Sequence, residues 1–380
     1  MHLVDTTLFF SPTSGGVRRY LTAKQTWLAA NTQWRHTLLV PGDETRLEPG
    51  GVSTLAGWRV PCTFNYRLPL SIAAWTHALE ALEPDLIEAG DAFHPAWCAR
   101  RVAERLRVPA VAFFHSNLPQ LIGRRLGRFS ERAVGRYVRL TYESLQLVQA
   151  PSRQMCDYLR SLGVNRVAFQ PLGVDTQIFV PERRREDLRQ RLGLAPGVRL
   201  LAYAGRFAGE KNLPVLLEAF AHLGPGYHLL LLGGGKAYQA ADNVTVLPYR
   251  RSSVELAEWL ASADALVHAG TAETFGLVIL EAMACGRPVV GVRSGAVPEL
   301  VDESVGVLAE RADPAVFARA VRELYDRDLQ ALGVAARARV LARFTWQRAM
   351  QIQQANYAAV ASRSRVRVPE AVAEPVEQTP

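Results

Sequence analysis

The chain has 380 residues, of which 49% are hydrophobic and 21% are charged, and its formal net charge is +8. This length predicts two domains, and the apolar content is sufficient for a large core. The four cysteines form no CxxC pair, which argues against structural zinc and a disulfide framework. The sequence contains neither a signal-peptide pattern nor an apolar run long enough to cross a membrane, so we expect a cytoplasmic protein.

The excess positive charge lies in the first half of the chain. Residues 1–174 contain 20 Arg and Lys against 13 Asp and Glu, whereas the remainder contains 24 against 23. A basic first half favours an anionic partner, either a membrane surface or a nucleic acid. No zinc-finger spacing and no aromatic strand typical of RNA-binding modules occurs in the sequence, so we expect no nucleic-acid partner.

Apolar runs typical of buried strands recur along the chain, and each is followed by a helical pattern. They occupy residues 36–40, 84–90, 109–115, 144–152, 198–205, 227–235, 244–249, 263–270 and 287–292. Continuous apolar strands that alternate with helices indicate parallel sheets covered on both faces. The predicted fold class is therefore α/β, with two doubly wound halves whose loop ends line one cleft.

A segment rich in turn-forming residues begins near residue 171 and separates the two series of strands. We predict a first Rossmann-like domain over residues 1–172 and a second over residues 173–345. A helix over residues 346–361 is predicted to cross back to the first domain. Residues 362–380 lack periodicity and are predicted to be disordered.

Two carboxylates lie in an otherwise apolar segment, HAGTAETFGLVILEAMACGRPVV, at residues 268–290. Glu273 falls in a loop between a strand and a helix, where ligands bind to parallel sheets. Glu281 falls about one and a half turns inside the helix. A buried carboxylate is costly unless it is hydrogen-bonded or paired, and the hydroxyls of a ribose are suitable donors. The alternative is an ion pair between Glu281 and a buried arginine, such as Arg287 or Arg293.

Groups suited to a phosphate stand at two of the predicted strand ends. The free amides of Phe275, Gly276 and Leu277 would form a helix N-terminus that favours an anion. In YAGRFAGEKN, residues 203–212, the long cations Arg206 and Lys211 follow a strand, where an anion would bind. The alternative is that both cations are solvated on the surface.

These segments together resemble the retaining glycosyltransferases of family 4, whose GT-B fold consists of two facing Rossmann-like domains. The signature of that family is a pair of glutamates with seven residues between them, here Glu273 and Glu281. The resemblance covers nearly the whole chain. Further matching motifs are SPTSGGVRRY at 11–20, FFHSNLP at 113–119, APSRQM at 150–155, PLGVDTQIF at 171–179 and RSGAVPEL at 293–300.

The resemblance implies roles on the donor side. Arg206 and Lys211 would hold the diphosphate of a nucleotide-sugar and stabilise the leaving nucleoside diphosphate, so we expect no catalytic metal and no other cofactor. Glu281 would bind the ribose hydroxyls, and Glu273 would contact the hydroxyls of the donor sugar. Amides at the helix start would support the phosphates, and these belong to Phe275, Gly276 and Leu277.

Three glycines and a histidine complete the implied site. Gly15 and Gly16 would let the backbone approach the donor, because a side chain there would clash. LLLLGGGKAY lacks the spacing of a P-loop, so we do not assign it that role. It is instead predicted to form a tight turn that places Gly234 beside the nucleoside. His115 would lie near the donor sugar and the acceptor and hydrogen-bond to one of them. The implied catalytic residues are His115, Glu273, Arg206 and Lys211.

Residues 121–140, LIGRRLGRFSERAVGRYVRL, contain six arginines and one acid, Glu131, among interleaved apolar residues. This pattern predicts a basic amphipathic helix, or two short helices broken at Gly127 or Gly135. Such a segment favours an anionic membrane surface next to the acceptor loop. The alternative is an ordinary helix with solvated arginines.

The resemblance implies a retaining transferase that moves a hexose (glucose, galactose or mannose) from a nucleotide-sugar to an acceptor. A lipid-borne acceptor, either a diacylglycerol or a polyprenyl-linked glycan, fits the basic segment. A soluble saccharide acceptor and a nucleotide-sugar epimerase on the same fold remain as alternatives. A glycosidase that uses the two glutamates as its acid/base pair and a non-catalytic binding protein are further rivals. The oligomeric state is not predicted.

Overall fold

The computed structural model describes residues 1–10, 15–60, 66–235, 238, 241–248 and 252–365, with side chains to residue 362. Among these residues, the first sheet contains eight strands: His2–Thr6 (β1), Arg35–Gly42 (β2), Val52–Arg59 (β3), Arg67–Pro69 (β4), Leu86–Ala89 (β5), Ala110–Phe113 (β6), Leu147–Ala150 (β7) and Val167–Phe169 (β8). Their order across the sheet is β4-β3-β2-β1-β5-β6-β7-β8. Neighbouring strands are parallel except β3 and β4, which are antiparallel.

Helices accompany the parallel strands of this sheet, as is usual for crossover connections, although residues 43–51 join β2 to β3 without a helix. In chain order they are Gly16–Asn31 (α1), Ile72–Ala81 (α2), His94–Leu106 (α3), Leu118–Leu126 (α4), Arg128–Glu143 (α5) and Arg153–Ser161 (α6). Strands β1, β5 and β6 are buried along their whole length, because helices cover both faces of the sheet.

The second sheet is parallel throughout, and its described strands are Arg199–Phe207 (β9), Tyr227–Gly235 (β10), Val244–Pro248 (β11), Ala265–His268 (β12), Val289–Val292 (β13) and Gly306–Ala309 (β14). Its order is β11-β10-β9-β12-β13-β14. The accompanying helices are Glu186–Arg191 (α7), Leu213–Leu223 (α8), Ser253–Ser262 (α9), Leu277–Ala284 (α10), Val297–Leu300 (α11), Pro314–Tyr325 (α12) and Leu329–Arg343 (α13). The prediction of two doubly wound α/β halves is confirmed.

The strand order reverses between β1 and β5 in the first sheet and between β9 and β12 in the second. Ligands of open parallel sheets bind at such reversals, outside the carboxyl ends of the strands. The loops that follow β9 and β12 carry Lys211 and Glu273, and the loop after β1 ends at Gly15. The fold therefore concentrates the predicted site at the reversals.

The chain passes between the two sheets twice, and the two passages lie side by side. The Val174 amide donates to the Phe344 carbonyl at 2.9 Å. A Cβ atom added to Gly173 would lie 2.5 Å from the backbone nitrogen of Trp346. A last helix, Trp346–Arg365 (α14), then packs against α1, and the side-chain amide of Gln170 donates to the Ala349 carbonyl at 2.8 Å. Helix α14 thus joins the end of the chain to the first domain.

Several sequence predictions need correction. Helix α14 continues to Arg365, so the predicted end at residue 361 and the disorder predicted for residues 362–365 are wrong. Residues 366–380 lie outside the described part of the chain. Gly233 to Gly235 do not form a tight turn, because they continue β10 in register with Gly205 to Phe207 of β9.

Each predicted apolar run contains a strand, but β1, β3, β4, β8 and β14 were not among those runs. Strand β1 escapes a search for apolar runs because its five buried residues include His2 and Asp5. Strands β4 and β8 have three residues each, which is too short for a periodic pattern.

Candidate active site at the domain cleft

Lys211 and Glu273 meet at the strand reversal of the second sheet. Lys211 ends a short 3-10 turn after β9, and its ammonium donates a hydrogen bond to Glu273 Oε1 in a partly buried ion pair. The Nε2 atom of His268, at the end of β12, lies 3.0 Å from the same oxygen. Burial would raise the pKa of Glu273, but Lys211 and His268 together hold that pKa well below its usual value. Glu273 is therefore an ionised carboxylate.

Local backbone geometry places these two loops against each other. Asn212 adopts a left-handed conformation with φ of 50°, and its side-chain amide donates to the Ala269 carbonyl at 2.9 Å. On the other side of Glu273, the Ala296 amide donates to the Glu273 carbonyl at 3.0 Å. Gly295 is required there, because a Cβ would lie 2.7 Å from that carbonyl oxygen and the φ of Gly295 is +59°.

Arg206 is more exposed than Lys211. Its side chain is 51% exposed, and its Nη2 atom lies 3.4 Å from Glu210 Oε1. The alternative prediction, that both cations are solvated on the surface, is wrong for Lys211, because Lys211 forms an ion pair with Glu273. Arg206 retains the exposure that an incoming anion needs.

Glu281 is buried in α10 and forms an ion pair with Arg19 of α1. Arg19 donates to Glu281 Oε1, whereas the buried Glu281 Oε2 has no hydrogen-bond partner among the described residues. Burial raises the pKa of Glu281, and Arg19 opposes that rise. The alternative prediction, an ion pair between Glu281 and an arginine, is therefore what the structure shows, but both named candidates are wrong. The partner is the partly buried Arg19, and Arg293 pairs with Glu310 instead.

The N-terminus of α10 faces the glycine loop of the first domain. Gly276 has φ of 102°, which favours glycine, and α10 begins at the next residue, Leu277. A Cβ on Gly16 would lie 3.3 Å from Leu277 Cδ1, whereas a Cβ on Gly15 would meet nothing described within 4 Å. Phe275 is buried and packs edge-on against Phe344. Of the two glycines, Gly16 thus comes within contact distance of Leu277, at the start of the helix predicted to bind phosphate.

His115 lies across the cleft from Glu273, next to the neighbouring residue Thr274. The Thr274 hydroxyl donates to the His115 carbonyl at 3.0 Å. The imidazole stacks on Phe113 with ring centroids 4.2 Å apart, and its buried Nε2 has no partner in the described structure. Burial, reinforced by the charge of Lys24, lowers the pKa of His115 to about 3. The ring is therefore neutral at physiological pH, and its buried Nε2 is left without a hydrogen bond in the described structure.

Comparison with known proteins identifies the family. The model of Glycosyltransferase Family 4 matches residues 14–178, and the model of Glycosyl transferases group 1 matches residues 198–327. A GDP-mannose-dependent alpha-(1-6)-phosphatidylinositol dimannoside mannosyltransferase of Mycobacterium tuberculosis (strain ATCC 25177 / H37Ra) is 32% identical over 96% of this chain and 98% of its own length. This chain belongs to glycosyltransferase family 4. The resemblance stated from the motifs is confirmed, and the protein is a hexosyltransferase that uses a nucleotide-sugar.

Two further similarities support this placement. A D-inositol 3-phosphate glycosyltransferase of Xylanimonas cellulosilytica is 32% identical to this family 4 chain over 70% of each protein. The solved structure of sucrose-phosphate synthase from Thermosynechococcus elongatus matches with a TM-score of 0.78 and 22% identity, covering 95% of this chain and 99% of that chain. At that identity the structural match shows the GT-B fold alone, and the predicted fold class is confirmed.

Sequence analysis of the transferase missed a buried polar network beneath His115. Lys24 Nζ lies 2.9 Å from Asp5 Oδ1 and 2.8 Å from Glu88 Oε1, and the Tyr20 hydroxyl donates to Glu88 at 2.9 Å. The Tyr20 ring packs 5.1 Å from the His115 ring. Lysine is rare, with three in the chain, so Lys24 could have been noticed in the sequence. Its partners Asp5 and Glu88 lie on separate strands, however, so the sequence does not show that they meet.

Arg19 and Thr274 were also missed, although both lie inside motifs quoted for the family 4 resemblance. Their importance comes from contacts across the cleft, which sequence spacing does not encode. Gly234, by contrast, stands near the end of β10 beside Arg206 in the strand register, and a Cβ added there would meet nothing described within 4 Å. In the described part of the transferase, no group of three or more His, Cys, Asp and Glu residues could hold a metal ion, and no helix is long and apolar enough to cross a membrane.

Proposed function

We propose that this transferase moves mannose from GDP-mannose, with retained anomeric configuration, to a saccharide carried by a membrane lipid. The donor and the class of acceptor follow the activity that names the mycobacterial relative, which matches nearly the full length of both chains. The observation that carries the proposal is a pair of carboxylates at the cleft, of which Glu281 is buried and Glu273 is partly buried. Glu273 is ionised and held by Lys211, and Glu281 has one buried oxygen without a partner among the described residues.

In this proposal the positive charge for the leaving group comes from Arg206 and Lys211. The diphosphate would lie between them and the N-terminus of α10, where helix amides and the helix dipole favour an anion. Cations fixed in a partly buried cleft stabilise charge that develops on the leaving nucleoside diphosphate. The reaction as proposed includes no metal ion.

The two glutamates would recognise hydroxyls rather than supply a nucleophile. Glu281 Oε2 would accept from a ribose hydroxyl, and this hydrogen bond would satisfy a buried oxygen that lacks a partner. Glu273 is already engaged by Lys211 and His268, which lowers its basicity and its nucleophilicity. We therefore favour a same-face route. The bond from the anomeric carbon to the phosphate oxygen breaks as the acceptor oxygen bonds to that carbon, and the departing phosphate takes the acceptor's proton.

His115 has a different role in this scheme. Because its imidazole is neutral, it offers one hydrogen bond to a sugar hydroxyl without adding charge. The Thr274 hydroxyl donates to the His115 carbonyl, so the loop that carries His115 is tied to the loop that carries Glu273. We propose that His115 orients the donor sugar or the acceptor hydroxyl.

A membrane-facing surface is the second element of the proposal. The predicted basic segment forms α4 and α5, which are broken at Gly127, one of the two positions expected. At this corner the side chains of Leu126 and Phe129 are 72% and 86% exposed. The arginines around the corner are exposed as well, and they include Arg124, Arg125, Arg128 and Arg132. Exposed apolar side chains among cations favour binding to an anionic bilayer.

The test is direct. The purified protein is incubated with GDP-mannose, UDP-glucose or UDP-galactose and with extracted lipids or a soluble mannoside, and products are read by mass spectrometry and by NMR of the anomeric proton. Transfer of mannose to lipid with an α linkage supports the proposal. Preference for a UDP-sugar overturns the donor assignment, and transfer only to the soluble mannoside overturns the lipid assignment. Conversion of a nucleotide-sugar without any acceptor would favour an epimerase.

Calorimetry separates the nucleotide site from the acceptor. GDP should bind more tightly than UDP, and Glu281→Gln should weaken GDP binding by about tenfold, because an amide oxygen is a poorer acceptor than a carboxylate. Glu310→Gln is the matched control, since Glu310 is an exposed partner of Arg293. Unchanged affinity in Glu281→Gln would remove Glu281 from the nucleotide site.

A further inference from the structure

A polar cavity of about 360 Å³ lies between the two domains, beside the predicted reaction site. Its first-domain wall comes from the start of α4, from α5 and from α6, and its second-domain wall comes from the loops after β12 and β13. The volume falls within the range of small-molecule sites, about 300–1,000 Å³. None of the residues assigned to the nucleotide-sugar lines it, so it is additional space in the cleft.

Hydrogen bonds connect this cavity to the reacting centre. Thr271 and Ser294 line it, and the Ser294 hydroxyl donates to the Thr271 carbonyl at 3.1 Å. Gly295, also in the lining, packs on the backbone of Glu273. On the opposite wall, Asn117 caps the N-terminus of α4, two residues after His115. The cavity therefore opens next to the two residues that would contact the transferred sugar.

The chemistry of the cavity wall distinguishes between acceptor classes. The wall carries the amides of Asn117, Gln120 and Gln154 and the carboxylates of Glu131 and Asp157. Among the described lining residues there is no lysine or arginine. Carboxylates and amides accept and donate hydrogen bonds to sugar hydroxyls, whereas two carboxylates repel a phosphate.

Two neighbouring arginines do not reverse this conclusion. Arg124 lies at the edge of the cavity, where its guanidinium donates to the Thr271 hydroxyl. Arg160 pairs with Asp157 at 2.9 Å. Neither arginine belongs to the lining, and Asp157 compensates the charge of Arg160, whereas Arg124 keeps its charge at the edge.

Contact between the domains fixes the shape of the cavity. Glu299, in α11 of the second domain, accepts from the amides of Arg153 and Gln154 at 2.9 and 2.8 Å, at the first turn of α6. This carboxylate compensates the positive end of the α6 dipole. Because α6 forms one wall, the Glu299 contact is one of the interdomain contacts that set the shape of the cavity.

We propose that this cavity is the acceptor subsite and that it takes an uncharged, polyhydroxylated head group, such as a neutral glycan, in preference to a phosphorylated one. The inference rests on the proposed function, since it assigns the acceptor of the same reaction. It places Glu131 and Gln154 in direct contact with the hydroxyls of the acceptor sugar.

The experiment measures binding, so it does not depend on turnover. Methyl α-mannoside and methyl α-mannoside 6-phosphate are titrated into the GDP-loaded protein, and dissociation constants are read by NMR. We expect the neutral glycoside to bind about tenfold more tightly. Glu131→Gln should weaken its binding by about tenfold, because a hydrogen bond to a charged group is lost. Glu131→Lys should in addition favour the phosphorylated glycoside over the neutral one.

Matched controls keep the result interpretable. Glu143→Lys makes the same charge change on α5, outside the cavity, where Glu143 pairs with Arg139 at 3.0 Å. It should leave both dissociation constants unchanged. Since Glu131 also packs against Gly123 of α4, Gln154→Ala provides a second variant, at an exposed side chain. This variant should also weaken the binding of the neutral glycoside.

The outcomes separate the two proposals. GDP binding by calorimetry reports on the nucleotide site, and its absence would overturn the proposed function together with this inference. With GDP bound, equal affinity for the two glycosides, tighter binding of the phosphorylated one, or no binding of either overturns the acceptor inference alone. Loss of neutral-glycoside binding in Glu143→Lys to the same extent as in Glu131→Lys overturns it too.

Discussion

Arg19 of the first domain and Glu281 of the second form an ion pair that joins α1 to α10 across the cleft. Glu281 is the second glutamate of the family 4 signature, and Arg19 lies in the motif that begins with the glycine loop. The pair is asymmetric, because Glu281 is buried whereas the Arg19 side chain is 28% exposed. Arg19 thus compensates a buried carboxylate that would otherwise oppose closure of the two domains.

Arg19→Ala should lower the stability of the protein in a pH-dependent way. The pKa of Glu281 is raised by burial, so its ionised form costs stability at neutral pH, and removal of Arg19 increases that cost to about 1–3 kcal/mol. The cost should disappear as the pH falls below the ordinary pKa of the carboxyl, because Glu281 is then protonated in both states. Urea unfolding at pH 7 and pH 4 measures the difference.

Two further variants test that explanation. Glu281→Gln combined with Arg19→Ala should recover most of the loss, since no buried charge remains. Arg100→Ala, which removes an exposed ion pair with Glu104 on α3, should change little at either pH. A loss in Arg19→Ala that is the same at both pH values would show that packing, and not charge, is responsible.

Lys211→Ala should reduce turnover by about 10²-fold or more, because the variant lacks a fixed cation at the leaving group. The fold should survive with reduced stability, because Lys211 ends a short turn outside the core but its removal leaves the partly buried Glu273 without its cation. Steady-state kinetics with GDP-mannose and circular dichroism check the two parts. Arg327→Ala removes an exposed cation that pairs with Glu323 elsewhere in the domain, and it should retain normal turnover. A folded Lys211→Ala enzyme with near-normal turnover is incompatible with the assignment.

The membrane surface can be tested at its apolar corner. Changing Leu126 and Phe129 together to Ser should release the protein from anionic vesicles, since it removes the two most exposed apolar side chains of α4 and α5. Sedimentation with vesicles at rising salt is the measurement, and added salt should also weaken the wild type because the arginines act through charge. Val334→Ser, at an exposed position on α13, is the matched control.

Arginine variants refine this test. Arg125, Arg128 and Arg132 are better targets than Arg124, because Arg124 also contacts Thr271 of the second domain. Changing these three residues to Ser should reduce vesicle binding and transfer to lipid while GDP binding stays intact, with about 1 kcal/mol of attraction lost for each cation. Equal sedimentation of wild type and variants, or none by the wild type, would favour a soluble acceptor.

Gly173→Ala should destabilise the protein strongly. A Cβ at Gly173 would lie 2.5 Å from the Trp346 nitrogen, at the place where the two interdomain passages touch, and the obstructing atoms are backbone. The two passages would have to separate. We expect this to lower the free energy of unfolding by about 1–3 kcal/mol or more, as overpacking does in other proteins. Thermal unfolding measures the effect. Gly226→Ala, where a Cβ would meet nothing described within 4 Å, should unfold at nearly the wild-type temperature.

The sequence by itself determined the fold class and the family, and it singled out charged residues that the fold brings to the cleft. Continuous apolar runs between helices specify parallel sheets, because strands buried on both faces need apolar residues throughout. Glu273, Glu281, Arg206 and Lys211 were recognisable because their chemistry is unusual at strand ends or inside an apolar helix. Strand β1 was missed because it contains a charged residue, Asp5, and so does not form a continuous apolar run. Asp5 is buried because it pairs with Lys24, and local sequence does not reveal that partner.

Only the tertiary structure decided which charges meet. The sequence offered Arg287 and Arg293 as partners of Glu281, because they are near in the chain, yet the partner is Arg19, which lies 262 positions away. Likewise, the contact of Thr274 with His115 and the cavity walled by Glu131 and Gln154 exist only because two domains face each other. Hydrophobic periodicity reports which residues are buried within one domain. It carries no information on the relative placement of two domains, which depends on the summed contacts across the cleft.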